Sequence, residues 1–409
     1  MDNSIPCLLI QNLASGFFVP KLSAFLWALL LWMLLDISLA APYKPKSSDE
    51  VLEQLPVLNN QADLKLKKLQ RQLNVNPDNL SLATDIATRL LAIARTEADP
   101  RYYGYAEAAV KTWWRQPQPP VEVLMIRATI RQHRHDFTGA LQDLQEVLTN
   151  EPRNAQAWLT QAVIQTVRGD YDASLRSCSI LKRLGANLPA TTCLANAASL
   201  SGSGQQAYQV LQESFANTAK TDLQTRLWTL TVLAEIAARL GDKQNAEAHF
   251  IQAMALQQRD VYLLNAYSDF LLDQNRPSEV VALLKDDTRP DGLLLRLAIA
   301  EQATGSKLLP QHIGELQRRI DAYRLRGENI HQREEARFNL SLAKQPETAL
   351  RLALENWQVQ HEPWDARLVL EAALASGKPE AASSVLAWLR QTKLQDGQLQ
   401  TYLAKLEAH

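Results

Sequence analysis

Residues 227–260 read LWTLTVLAEIAARLGDKQNAEAHFIQAMALQQRD. Leu230, Leu233, Ala234 and Ala237 recur at the three- and four-residue spacing that places side chains on one face of a helix. Gly241-Asp242 then breaks the pattern, with glycine as a helix stop and aspartate as a helix start. Ala246, Phe250, Ala253 and Met254 mark one face of a second helix. The small side chains of Ala234 and Ala246 allow two backbones to approach closely, and Phe250 fills the space further along. A hairpin of this length cannot bury its apolar face alone, so the chain on either side must supply neighbours.

It supplies them. Residues 121–154 carry Leu124, Ala128, Asp136-Phe137, Ala140, Leu144, Val147-Leu148 and Pro152 at the matching offsets. Residues 155–188 carry Trp158, Ala162, Gly169-Asp170-Tyr171, Ser174 and Leu181, and weaker copies follow at 188–221, 261–287, 330–363 and 364 onward. This 34-residue pattern of a Trp/Leu–Leu–Gly–Tyr set followed by Ala, Phe and Ala resembles the tetratricopeptide repeat. The resemblance implies an all-α fold, a right-handed α-solenoid of helix–turn–helix repeats. Helix formers dominate, glycine numbers only 14 among 409 residues, and no run alternates like a β-strand.

Five segments follow from the punctuation. Residues 1–40 form a leader. Lys21 precedes an apolar run through Leu35, and Ser38-Leu39-Ala40 offers small residues before a cleavage point, the pattern of a secretory signal peptide. The apolar run is short of the roughly 20 residues a membrane span needs, so cleavage is the first expectation and a retained signal anchor the alternative. Residues 41–76 are a linker with N-terminal capping helices. Residues 77–287 hold the main repeats, 288–329 an irregular helical segment, and 330–409 the C-terminal repeats. Loss of the leader leaves 42 acidic and 42 basic residues. A neutral exported chain belongs most simply in a bacterial periplasm or beyond the cell surface. Contact with membrane is then expected only through an uncleaved anchor.

The charge balance, 43 basic against 44 acidic residues over the whole chain, argues against nucleic acid as a main partner, which requires a concentrated basic face. His133-Arg134-His135-Asp136 falls at the turn inside a repeat, and imidazoles two apart on a helix face different ways, so no metal is expected. Gly202-Ser203-Gly204 lacks the lysine and the strand of a phosphate loop. No nucleophile elbow and no Ser/His/Asp set is present. The arginines from Arg318 to Arg326 alternate with Glu315, Asp321 and Glu328, as on a solvated helix face. Of Trp113-Trp114, one ring is expected in the core and the other over the helix edge. Cys178 and Cys193, the two cysteines left after the leader, lie on the second helix of one repeat and the first of the next. They are either a disulfide or two buried small side chains, and spacing alone leaves both open.

The resemblance further implies that the first helix of each repeat lines a concave groove holding a peptide or partner protein. The positions that match are Met125, Thr129 and Gln132; Gln156 and Leu159; Thr192 and Asn196; Trp228, Thr231 and Glu235; and Tyr262, Asn265 and Asp269. Trp228 and Tyr262 are the expected aromatic anchors. The Lys/Asn clamp by which some members grip a terminal carboxylate is missing. The expected function is a non-enzymatic protein–protein interaction scaffold of the bacterial cell envelope without a cofactor. The alternative is an accessory subunit presenting substrate to an envelope enzyme or export complex.

Overall fold

The helix starts are written by capping side chains. In a computed structural model that describes Ser47 and residues 61–327 and 332–407, Asn79, Asp136, Asn154, Asp222, Asp242 and Asp260 each accept a hydrogen bond from a backbone N–H in the first turn of the helix that follows. Gly169, Gly202 and Gly241 close the turns inside repeats at positive φ (78°, 88° and 80°), where a side chain would be strained. His135 holds the same left-handed turn position at φ 59°. The leader and, apart from Ser47, residues 41–60 of the expected linker and capping segment lie outside the described residues.

The elements run α1 (Gln61–Val75), α2 (Leu80–Glu97), α3 (Arg101–Ala109), α4 (Lys111–Trp114), α5 (Val121–His133), α6 (Phe137–Asn150), α7 (Ala155–Val167), α8 (Tyr171–Arg183), α9 (Asn187–Ser199), α10 (Gly204–Ala216), α11 (Leu223–Arg239) and α12 (Lys243–Met254). They continue with α13 (Val261–Asp273), α14 (Pro277–Leu284), α15 (Asp291–Thr304), α16 (Leu309–Leu325), α17 (Gln332–Ser341), α18 (Pro346–Trp357), α19 (Pro363–Ala375), a 3₁₀ turn (Pro379–Ala382), α20 (Ser383–Thr392) and α21 (Gly397–Glu407). Among the described residues there is no strand. All of these helices belong to one unit, Asn60–His409.

Consecutive helices pair as hairpins, and the first helix of each hairpin packs on the first helix of the next from α5 through α21. The α11–α12 hairpin buries the predicted face: Leu230, Leu233, Ala234, Ala246, Phe250 and Ala253 are shut off from solvent, and Met254 packs at the edge. Within the segment expected to be irregularly helical, 288–329, the described residues form the hairpin α15–α16, and α15 continues the stack between α13 and α17. In the first hairpin the second helix is interrupted at Val110. That interruption turns Trp113 into the core and leaves Trp114 packed at its margin.

The superhelix is tight enough that successive turns touch. The Tyr171 hydroxyl donates to the His361 carbonyl at 3.1 Å, across 190 residues. Arg289 reaches Asp99 at 3.1 Å, again across 190 residues. The His361 N–H donates to the Val167 carbonyl at 2.7 Å, and Tyr171 and Leu200 join an apolar cluster built otherwise from residues 336–399. A Cβ at Gly202 would stand 3.2 Å from Lys393 Cβ, so the close approach of the two turns needs glycine there. One superhelical turn therefore closes into a ring, sealed where α7–α10 meet the segment from Trp357 to Leu399.

Candidate interaction recess

Ring closure gives the concave face a floor. Inside it lies a recess of about 420 Å³, walled by the first helices α7, α9, α11, α13, α15, α17 and α19 and by the start of α21. Its wall is charged. Glu235, Asp269, Asp273, Glu334, Glu362 and Asp396 face Arg239, Lys243, Arg296, Arg333, Arg337 and Arg367.

Most of these charges are tied to one another. Asp269, 3% exposed, accepts from Arg296 of α15 at 2.6 Å and from Arg337 of α17 at 2.7 Å. Burial alone would raise the pKa of this carboxyl, and the two guanidiniums more than reverse that, holding it below the usual carboxylate range. Arg333 forks onto Asp365 and Glu362, and Asp365 also accepts from Asn356 at 2.7 Å. Arg367 pairs with Asp273 and Glu371. Arg337 and Arg367 both lie over the Trp364 ring, 4.5 and 4.3 Å from its centroid, a cation–π arrangement that holds the indole and both guanidiniums in place. Asp396 spends its carboxylate on the N–H groups of Gln398 and Leu399, capping α21.

Glu235 differs. Its two oxygens accept from the Tyr262 hydroxyl at 2.8 and 2.9 Å, and among the described residues no cation lies within ion-pair distance of it. Burial pushes its carboxyl up to about 7, against the opposing pull of Arg239 and the Tyr262 hydroxyl, while Glu362 and Asp269 add to the rise. Tyr262 keeps 55% of its surface open, but that surface opens into the recess among the stacked helices. Its phenol accordingly has a pKa raised well above 10, first by burial and then by Glu235.

Of the groove positions read from sequence, Asn196, Glu235, Tyr262, Asn265 and Asp269 line the recess. Met125, Gln132, Gln156, Leu159 and Trp228 do not. Met125 packs on the core between α5 and α7, Gln132 is half-buried, and Gln156 is exposed with its amide 3.3 Å from Thr160. Thr129, Thr192 and Thr231 return their hydroxyls to their own helices. Trp228 is no free anchor: it is half-buried and packs with Leu159 and Leu194 over Cys178 and Cys193. Those two cysteines form a disulfide between α8 and α9, with Cα atoms 5.7 Å apart. The Tyr103 ring stacks on His133, centroids 3.7 Å apart, and His135 lies against Phe137. Sequence reading passed over Arg296, Arg333, Arg337, Glu362, Trp364 and Arg367. For Arg333, Trp364 and Arg367 the available signal was a charged or aromatic residue at an offset that Tyr262 or Asn265 occupies in its own helix; Arg296, Arg337 and Glu362 fall at other offsets.

No family model matches the chain, and no curated protein matches it. Solved structures resemble it at low identity. Human IFIT1, as a dimer with m7Gppp-AAAA, is 14% identical over 81% of this chain and 86% of its own, with a TM-score of 0.45. Yeast Tom70 is 10% identical over 85% of each chain, with a TM-score of 0.37. The APC/C hetero-tetramer Cut9–Hcn1 is 14% identical over 83% of this chain, with a TM-score of 0.38, and this chain spans about half (52%) of the matched partner's length. The fold is a tetratricopeptide-type solenoid. Its stacked hairpins, their inward-facing first helices and the small residues at the hairpin contacts carry that statement from the structure itself.

Proposed function

We propose that this chain is a non-enzymatic interaction scaffold that receives a segment of a partner polypeptide in the recess inside its superhelical ring. The observation that carries the reading is the convergence of the first helices from α7 to α19 on one recess of about 420 Å³. That volume falls within the range of binding pockets, is too small for a packed helix, and suits a few extended residues. Its polar groups are aligned by ion pairs between neighbouring repeats, so the wall is set before a ligand arrives.

We further propose an oxidising compartment, the bacterial cell envelope, as its place of work. A disulfide shut inside the hydrophobic cluster of Ala162, Leu159 and Leu194 supports this, since such bridges persist in exported proteins. The leader-like pattern at 1–40 supports it too.

The test is photo-crosslinking in cells from a probe at Asn196, inside the recess, against a control probe at Ile251, exposed on the outer helix α12. One protein captured from Asn196 and not from Ile251 is the expected result. Equal, diffuse capture from both positions would remove the recess as the working surface.

A further inference from the structure

We infer that the recess selects a basic side chain, an arginine or lysine of the partner polypeptide, and seats it on the carboxylate of Glu235 beside the open face of Tyr262. The inference rests on the recess being the partner's site and adds the chemistry that it selects.

Arg296 and Arg337 share Asp269. Arg333 is held by Asp365 and Glu362, and Arg367 by Asp273 and Glu371. Arg239 donates to Ser199 Oγ at 2.8 Å instead of reaching Glu235 one helical turn away. Arg239 thus carries no ion pair, Arg296 keeps its Nε without an acceptor, and Lys243 is exposed. Among the described acids of the wall Glu235, Glu334 and Asp396 carry no ion pair; Glu235 faces the recess beside the Tyr262 ring, touches only that neutral phenol, and has unfilled lone pairs, since a carboxylate accepts up to about four hydrogen bonds. Counting Asp365 and Glu371, which pair with arginines of the wall, eight carboxylates stand against six cations here, and that excess favours an incoming cationic donor. The Tyr262 ring beside Glu235 is the largest open aromatic surface in the wall and offers a face for a cation. Unliganded, Glu235 is kept partly protonated by its surroundings: burial, with Glu362 at the start of α19 and Asp269 of α13, outweighs Arg239 on its own helix and the Tyr262 hydroxyl of α13. A guanidinium or ammonium entering the recess displaces that proton and supplies the missing counter-charge.

The measurement is isothermal titration calorimetry on the full chain with blocked Gly-Arg-Gly, Gly-citrulline-Gly and Gly-Glu-Gly peptides. Citrulline keeps the shape of arginine and drops its charge. The arginine peptide is expected to bind at least tenfold more tightly than the citrulline peptide, the loss of one charge-assisted contact. At pH 7 it should release about half a proton, read as a difference between two buffers of unlike ionisation heat. Glu235→Gln should remove the tenfold preference and the proton release, leaving the weak citrulline binding in place, with a melting temperature at pH 7 no lower than the parent's because the neutral amide lacks the carboxyl's burial cost. Equal binding of arginine and citrulline, a preference for the glutamate peptide, no binding of any peptide at millimolar concentration, or an unaltered preference in Glu235→Gln would each overturn the inference. If it falls while Asn196 still captures a single partner, the scaffold reading stands. If Asn196 and Ile251 capture alike, that reading falls on its own test.

Discussion

Replacing Asp269 by asparagine removes one charge, changes almost no volume, and tests how the ring wall is held. Asp269 ties three successive repeats together, because Arg296 comes from α15 and Arg337 from α17. After the change two guanidiniums face each other with no counter-charge, and Arg296 is only 8% exposed. Breaking a buried pair by removing one partner costs about 3–5 kcal/mol, mostly the penalty of the orphaned charge. Against a typical total of about 5–15 kcal/mol, that loss should be plain in urea unfolding followed by far-ultraviolet circular dichroism at pH 7.5. A triple variant, Asp269→Leu with Arg296→Met and Arg337→Met, removes all the charges and should recover most of the loss, since well-packed apolar replacements of ion triads are often neutral or better. The pH dependence follows from the lowered pKa of Asp269. Its stabilisation is complete above the unfolded carboxylate range near about 4, and it disappears as pH falls through the lower folded value. Asp269→Asn should lack that acid-side decline. A loss below about 1 kcal/mol, or a triple variant no more stable than the single one, would refute the reasoning.

Other outcomes follow from the same structure. Reducing the Cys178–Cys193 bridge, which spans 15 residues, should cost about 3 kcal/mol by loop entropy, checked by thermal melts with and without dithiothreitol and in a Cys178→Ala/Cys193→Ala variant. Ala246→Asp puts an unpaired charge into the fully buried α11–α12 contact and should cost about 3–5 kcal/mol, seen as a lost or strongly lowered melt. Trp228→Ala should cost about 1–3 kcal/mol, because the half-buried ring covers the disulfide cluster; an unchanged melt would mean that the ring contributes nothing to folding. Glu235 has a folded pKa raised from 4.5 to about 7, so the folded chain keeps a proton that the unfolded chain has released. Stability should therefore fall as pH rises from about 4.5 to about 7 and then level off, and Glu235→Gln should remove that slope.

The hairpins were legible in the sequence because their signals are local. Asp242 capping α12, Gly241 at positive φ, and the small pair Ala234 and Ala246 all lie within one 34-residue unit. The inward positions of α11 and α13 were legible for the same reason, and Glu235, Tyr262, Asn265 and Asp269 do line one wall. What makes that wall a recess was not legible. The opposite wall comes from Arg333, Arg337, Trp364 and Arg367, and it stands there because Tyr171 meets His361, a relation set by the small rotation each repeat adds to the last. No single hairpin encodes that sum. Trp228 was misread for a related reason: as an aromatic on a first helix it matched an anchor position, but the Cys178–Cys193 bridge draws α8 and α9 under it and gives the ring a bed. Arg296 carried the opposite error. Its partners stand on α13, and a lone arginine in an apolar run, Leu293-Leu294-Leu295-Arg296-Leu297, is a sign of a buried ion pair that periodicity alone passes over.

The seam at residues 171 and 361 also fixes the length of the molecule. An open solenoid can gain or lose a repeat and remain a solenoid, since each unit answers only to its neighbours. Here a repeat inserted between Tyr171 and His361 would carry Gly202 away from Lys393 and leave two apolar edges facing water. The interval of 190 residues is therefore a gauge that every hairpin between the two ends must satisfy together. A lineage of such chains should vary freely in loops that point outward, and should change its repeat number only where the ring is not closed, at its two free ends.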